Sequence, residues 1–336
     1  MSRAGIVERD EISELFLLIG GYPFKPYSQY SRFDRRVLAD ALCKEIETIA
    51  ADRENYIIAV KEHHQPVAVC IARKSGVESE VFNKKIYAIT HVISAGSYVD
   101  SVANKQKLLR FFNRHCMRGT GMVSCRANAQ DLSTIHALEN ERYRCMDTLV
   151  TYTFDLNQFQ HEQKGFPCRI RPVQKKDGNA LKDIVRNSQF IDRFHNDPHI
   201  SRKDSNRLYE TFIGNAMKGM GADMVLVAEC DDKVVGFNTI ESQNSLYSRY
   251  GIKIGSFVLN AVAPEYRNRG IYTRLIQESL QYLKDSADLA ELRTHSHNLP
   301  VHRALPQLGF RLSLSQLTFH AWNTALMPAV PDGDVK

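Results

Sequence analysis

Apolar residues recur every three or four positions in some stretches of this chain and run almost unbroken in others, and the two patterns alternate. Arg36–Ala51 has helical spacing through Leu38, Leu42, Ile46 and Ile49. Strands are predicted at Tyr56–Val60, Pro66–Ala72 and Lys85–Ala95, then a helix near Val102–Arg114, a strand near Gly121–Ala127, a helix near Ser133–Asn140 and a strand at Asp147–Leu156. From Ile170 a similar series follows. It comprises helices at Leu181–Val185 and Arg207–Met217, strands at Asp223–Glu229, Val234–Glu241 and Gly251–Val262, and a helix at Ile271–Lys284. A strand at Leu289–Thr294, a helix at Pro300–Leu308 and terminal strands through Trp322 complete it. Such alternation predicts an α/β (α+β) fold with a mixed sheet.

Phe257–Lys284 organises the rest. Phe257, Val258, Leu259, Ala261 and Val262 read as a strand covered on both faces, and Pro264 ends it by removing a ladder donor. The helix that follows sets Ile271, Leu275, Ile276, Leu280 and Leu283 on one side. Between them stands Arg267-Asn268-Arg269-Gly270-Ile271-Tyr272. The first four N–H groups of a helix lack internal partners, and its dipole adds partial positive charge there. Gly270 permits close approach to the backbone, and two arginines add full charge, so the junction is suited to a phosphate or pyrophosphate. It is not a Walker loop, because Gly-Lys-Ser/Thr is missing, nor a Rossmann turn, because only one glycine is present.

The series repeats in register. Val67-Ala68 corresponds to Val234-Val235, Ala137-Leu138 to Ala304-Leu305, and Tyr143-Arg144 to Phe310-Arg311, each pair 167 positions apart, as 304 − 137 shows. The chain therefore reads as two copies of one fold joined by the polar segment Asn157–Pro167, with a loose tail at Thr324–Lys336. The copies differ at the junction. Arg267, Arg269 and Gly270 are matched in the first half by Asp100, Val102 and Ala103, a set that repels pyrophosphate and lacks glycine's freedom.

Composition adds bounds. The 336 residues suffice for two domains, and 43% hydrophobic with 24% charged residues is ordinary for a globular chain. The net charge of +6 is scattered, without the Lys/Arg and aromatic clusters of a nucleic-acid surface. Seven cysteines form no C-x-x-C pair, which predicts reduced, mostly buried thiols in a cytoplasmic protein and no metal site. No signal peptide or membrane-spanning run is expected.

V-x-P-x-x-R-x-x-G-x-x between strand and helix resembles motif A of the GNAT superfamily of N-acetyltransferases, with Arg267 and Gly270 matching and Tyr272 standing where the family has Gly or Ala. The resemblance implies two tandem GNAT-like domains. Each would be a mixed, mostly antiparallel sheet flanked by helices, with a V-shaped splay between two parallel strands. Residues 1–160 would form a degenerate, structural domain packed on the second as an intramolecular pseudo-dimer, and 161–323 the catalytic one. Acetyl-CoA or another acyl-CoA would lie in the splay. Its arm would meet backbone groups of Leu259, Ala261 and Val262, and its diphosphate the residues Arg267, Asn268, Arg269, Gly270, Ile271, Tyr272 and Thr273; Asn298 would reach the arm. The family's base carboxylate falls at Ser256 and its acid tyrosine at Leu305, so both are absent.

Substitutes are available, each with an ordinary structural alternative. His302 could protonate the leaving thiolate or be a capping histidine; His295 could relay a proton or be a hydrogen-bonded structural group. Glu241 could act as base through water or be a solvated loop carboxylate, and Tyr272 could address the cofactor or pack. The segment Ser188–Ala216 and the closing Thr318–Trp322 are similar to dTDP-fucosamine (dTDP-4-amino-4,6-dideoxygalactose) acetyltransferases. On that likeness Arg193, Phe194, His195 and Asp197 would receive the acceptor, unless the loop merely caps and packs. The expected function is N-acylation of a small amine, foremost a nucleotide-linked amino sugar. A peptide, polyamine or antibiotic amine is the alternative acceptor, and a non-catalytic acyl-CoA-binding protein is the alternative class.

Overall fold

The structure is a computed structural model that describes residues 3–323, apart from 118, 161–164, 189, 243 and the side chain of 120. The first half supplies β1 (Arg3–Ile6), α1 (Phe16–Gly21), α2 (Arg35–Ala50), β2 (Tyr56–Glu62), β3 (Gln65–Lys74), α3 (Gly76–Phe82), β4 (Lys85–Ser94), α4 (Tyr98–His115), β5 (Thr120–Asn128), α5 (Leu132–Asn140) and β6 (Arg144–Asp155). The second supplies β7 (Arg169–Pro172), α6 (Gly178–Asn187), α7 (Arg202–Ala216), β8 (Met224–Cys230), β9 (Lys233–Glu241), α8 (Ser245–Ser248), β10 (Ile254–Val262), α9 (Ile271–Leu283), β11 (Leu289–His295), α10 (Leu299–Gln307) and β12 (Arg311–Trp322). The short elements β1, α1, α3 and α8 carry too little periodicity to be predicted, and the terminal strands expected through Trp322 are one strand, β12.

Local chemistry explains the long elements. Asp34 caps α2 by accepting from the Arg36 and Val37 amides, and the stripe Leu38, Leu42, Ile46 and Ile49 is buried. In α9 the expected face Ile271, Leu275, Ile276, Leu280 and Leu283 is buried, together with Ser279. β10 departs from expectation in one place: Val258 is 55% exposed.

The described residues divide into two compact units. One holds the chain up to Thr148, Asn196–Ile200 and the residues from Ser315 onward; the other holds Leu149–His195 and Ser201–Leu314. The first unit's strands run in the order β1-β2-β3-β4-β5-β12, with only β4 and β5 parallel. The second unit's run β6-β11-β10-β9-β8-β7, with only β10 and β11 parallel. A cut at residue 160 therefore does not follow the units. The last strand of each half completes the other unit's sheet: Leu149–Asp155 pairs with β11, and Gln316–Trp322 with β5. The two pairings repeat the duplication, since Leu289↔Asp155 and Met122↔Trp322 are equivalent rungs.

In the second unit α9 and α10 cover one sheet face, over a core that includes Tyr152, Phe257, Ile276, Leu292 and Leu305. The other face packs on α6 and α7 through Leu181, Ile184, Ile213, Val227 and Phe237. The expectation of uniformly reduced thiols is corrected: Cys168 and Cys230 are joined as a disulfide. Arg169 pairs with Glu229 across the β7–β8 ladder, so the next rung brings these two cysteines together from 62 positions apart. Of the other five, four are at least partly buried and Cys145 is exposed.

Candidate active site

The centre of the second unit is the place where β10 and β11 part. Their parallel pairing runs from Ile254↔Leu289 to Phe257↔Leu292 and stops. Beyond it β10 stays with β9 after a one-residue bulge at Val258–Leu259, while β11 continues along β6. The bulge is held from β9: the Leu259 amide donates to Thr239 Oγ1 (2.8 Å), and that hydroxyl donates to the Leu259 carbonyl (3.1 Å). The Ala263 amide donates to the Val235 carbonyl, so by the alternation of an antiparallel ladder Ala261 also addresses β9. Leu259 and Ala261 therefore spend their backbone groups on β9. The groups turned into the splay belong to Asn260 and Val262; of these, only Val262 is expected from the sequence.

After Val262 a tight turn, Pro264–Tyr266, leads to two left-handed residues, Asn268 (φ +61°) and Gly270 (φ +76°). Gly270 is the cap of α9 and no side chain caps that helix. The first intrahelical bond runs from the Arg274 amide to the Gly270 carbonyl (3.0 Å), which leaves the Ile271, Tyr272 and Thr273 amides at the mouth. The nearest atom to a Cβ built on Gly270 would be Phe166 Cε2, at 3.7 Å. Arg267 is tied back by Nε to the Val262 carbonyl and by Nη2 to the Ser188 carbonyl, both at 3.2 Å. Arg269 donates to the Glu265 carbonyl (3.0 Å) and lies over the Tyr266 ring at 5.0 Å. Both guanidiniums thus brace the turn and lend it charge.

Tyr272 packs. Its ring lies against the α9–α10 core and its hydroxyl is buried without a hydrogen-bond partner. Burial pushes that phenol's pKa well up, so it stays protonated. An uncapped helix N-terminus, an orphaned hydroxyl and parted strands together fit an acyl-CoA, and none of these features needs a metal.

On the α9–α10 face Leu305 is fully buried where the family's acid tyrosine would stand. His302, one turn earlier, donates from Nε2 to the His295 carbonyl (3.0 Å). Its Nδ1 therefore accepts from the Tyr152 hydroxyl (3.0 Å). Sequence reading missed Tyr152, which lies 150 positions away on β6. The His295 ring stacks on His297 with centroids 5.8 Å apart. Asn298 opens α10 and donates from its side chain to Thr294 Oγ1 (3.0 Å).

The opposite face carries a polar rung. Glu241, Ser256, Glu291 and Thr153 are paired in register across β9, β10, β11 and β6, on the last rung but one before the strands part. Glu241 is half-buried; burial and the Asp223 carboxylate raise its pKa, and Arg293 opposes them. Glu291, also missed, is 2% exposed and accepts from Arg293 Nη2 at 3.1 Å. Its signal was the alternation Ala290-Glu291-Leu292-Arg293, polar on one face only.

The expected acceptor residues are more committed than the sequence suggests. Asp192 accepts from the Phe194 amide (2.7 Å) and from His195 Nδ1 (2.5 Å), while His195 Nε2 donates to Asn206 Oδ1 (3.1 Å). Burial opposes the His195 charge, but the Asp192 bond outweighs it and the pKa rises. Phe194 is buried beneath the Arg193 guanidinium, 4.3 Å from its ring centre, and is not free to stack on a ligand. Asp197 is buried in the first unit, where it accepts from His320 Nδ1 (2.7 Å), Trp322 Nε1 (2.8 Å) and the His199 amide (2.9 Å). His195, Phe194 and Asp197 are thus corrected from acceptor contacts to scaffold, because their polar or aromatic groups are already used inside the fold.

The equivalent junction of the first half is built differently. Ser97 caps α4, accepting from the Asp100 amide (3.3 Å) and donating to the Asp100 carboxylate (2.6 Å). Lys105 and Asp131, the counterparts of Tyr272 and Asn298, form a buried ion pair at 2.9 Å, and Lys105 also donates to Ser133 and Thr134. Among the described residues no His, Cys, Asp or Glu group could hold a metal ion, and no helix is long and apolar enough to cross a membrane.

Residues 187–310 match the acetyltransferase (GNAT) family. The uncapped α9 junction lies inside that match, and the fold agrees with it. It is 20% identical over 270 residues to the spore coat polysaccharide biosynthesis protein SpsD of Bacillus subtilis (strain 168), covering 80% of this chain and 88% of that one. A GCN5-related N-acetyltransferase from Sphaerobacter thermophilus has the same fold (TM-score 0.61, 13% identity, 96% of this chain and 95% of that one). So has a tandem GNAT protein from the clavulanic acid biosynthesis pathway (TM-score 0.57, 10% identity, 96% and 98%).

Proposed function

We propose that the second unit transfers an acetyl group from acetyl-CoA to the amine of a nucleotide-linked amino sugar, by direct attack within a ternary complex in the cytoplasm. The observation that carries this reading is the uncapped α9 N-terminus opening on parted parallel strands. The first half is then a structural copy that holds no donor. A sugar acceptor is supported by the likeness to a polysaccharide biosynthesis protein.

The amides of Ile271, Tyr272 and Thr273 would hold the donor's diphosphate, with Arg267 and Arg269 supplying charge and rigidity. Asn260 and the Val262 amide would offer backbone partners to its arm, and Asn298 sits at the neighbouring helix start. When bound, acyl-CoA supplies an activated thioester. Glu241 takes up a proton from the acceptor amine, directly or through one water, at the face where Ser256 offers no carboxylate. On the other face two protons stand together, on Tyr152 Oη against His302 Nδ1 and on His302 Nε2 against the His295 carbonyl, and this pair would pass one to the departing thiolate. His295 fixes the His302 tautomer through its carbonyl.

Ser256 and Leu305 favour a second reading, a protein that binds acyl-CoA without turning it over. Incubation with acetyl-CoA and a panel of nucleotide-linked amino sugars, a peptide, a polyamine and an aminoglycoside decides between them. Thiol release with the sugars supports the first reading. Release only with another amine changes the acceptor, and tight binding without release on any amine supports the second.

A further inference from the structure

Thr239 makes two hydrogen bonds with one hydroxyl, both to the same residue. The bulge sets Val258 and Leu259 together against Thr239, since Phe257 pairs with Ile240 and Asn260 with Asn238. An extra residue in a ladder leaves an amide and a carbonyl without backbone partners. A hydroxyl is both acceptor and donor, and Thr239 Oγ1 meets each need: it accepts from the Leu259 amide at 2.8 Å and donates to the Leu259 carbonyl at 3.1 Å. The side chains record the change of phase that results. Phe257 and Val262 pack on the α9 side of the sheet, whereas Leu259 and Ala261 pack on the α6–α7 side. In a regular strand Phe257, Leu259 and Ala261 would share one face. The same slip exchanges backbone directions, which is why Asn260 and Val262 face the splay in place of Leu259 and Ala261. In the first unit Ala72 stands 167 positions before Thr239, as 239 − 72 shows. The β3–β4 pairing is irregular there too, but the hydroxyl at hand is Thr90 on the other strand, which donates to the Ile71 carbonyl at 3.4 Å. The unit whose helix start is self-capped thus has alanine at the locking position.

We propose that Thr239 is a positioning residue for the donor: its hydroxyl fixes the phase of β10 beyond the bulge and so selects the amides, those of Asn260 and Val262, that the thioester arm meets. The inference rests on the acyl-transfer reading above and adds to it a residue that acts through β10. The diphosphate mouth at residues 271–273 lies past the Pro264–Tyr266 turn and is built from other groups. Loosening the bulge should therefore disturb the arm and spare the diphosphate.

The test compares the wild type with Thr239→Val, which keeps the shape and removes the hydroxyl, and Thr239→Ser, which keeps the hydroxyl. Calorimetry measures the affinity of each for coenzyme A, which carries diphosphate and arm, and for ADP, which carries a diphosphate and no arm. Hydrogen exchange follows the Leu259 amide without ligand, and kcat is measured with acetyl-CoA. For Thr239→Val we expect coenzyme A affinity and kcat each lowered on the order of tenfold, unchanged ADP affinity, and faster exchange at Leu259. Thr239→Ser should stay near the wild type throughout. Coenzyme A affinity and kcat that hold in Thr239→Val overturn the proposal. Coenzyme A and ADP weakened alike, or a serine variant no better than the valine one, make Thr239 a general support of the sheet and overturn it too. A wild-type Leu259 amide without protection from exchange overturns it whatever the variants do. A wild type that acylates no amine defeats the transfer reading alone, because the ratio of the two affinities still decides the role of Thr239.

Discussion

The two strand-to-helix junctions of this chain have the same layout and opposite chemistry. At α4 the helix start is closed by Ser97 and Asp100, which bond to each other and satisfy a free amide with the protein's own oxygen. At α9 the cap is Gly270, with a left-handed backbone and no side chain to offer. One turn further in, the first copy fills the space with the buried Lys105–Asp131 pair, and the second with Tyr272, whose hydroxyl finds nothing. A helix start that satisfies itself gains stability and has no use for an anion. One that leaves its amides open gives up that stability and is fit to bind. Duplication let the chain do both.

The sharpest way to break this contrast is Lys105→Met, which removes the cation paired with the buried Asp131 carboxylate and leaves it only neutral donors, among them Ser133 and Thr134. It should cost the first unit about 3–5 kcal/mol, read from urea unfolding, and a loss below 1 kcal/mol would show that the pair contributes little. Next is Gly270→Asp. A carboxylate in the amide mouth should weaken coenzyme A binding on the order of a hundredfold, about 2.8 kcal/mol, with circular dichroism unchanged; calorimetry returning the wild-type affinity would remove the site from α9. Tyr272→Phe is smaller and of opposite sign to the lysine change. Deleting a buried, unpartnered hydroxyl should leave the ligand-free protein level or about 1 kcal/mol more stable, whereas a destabilised variant would mean that the hydroxyl has a partner. The smallest expected effect is none. Isothermal titration should give one coenzyme A per chain, and Ala103→Gly should still give one, because Ser97 and Asp100 keep the first junction closed.

Much of this was legible in the sequence where the signal is local. The helical faces of α2 and α9, the Pro264 stop, the Arg267–Gly270 junction and the constant offset between the halves all follow from spacing within a few residues or from self-comparison. What escaped depends on which strand lies beside which. Tyr152 meets His302 only because β6 crosses to the second unit, and Glu291 comes level with Ser256 and Glu241 only through register. The donor-facing amides were misplaced by the bulge at Val258–Leu259, which no propensity announces. Asp197 and Phe194 look like ligand contacts in one dimension, but Asp197 is held by the indole and imidazole of a strand more than a hundred residues away and Phe194 is sealed beneath Arg193.

The crossing of β6 and β12 has a further result. Neither half is a finished object: excised at residue 160, the later copy would expose the naked flank of β11, an invitation to pair with strangers. Having once traded their closing strands, the twins became mutually indispensable. A copy whose helix start is closed by its own side chains could then be kept indefinitely, held in place by the needs of its sibling's sheet.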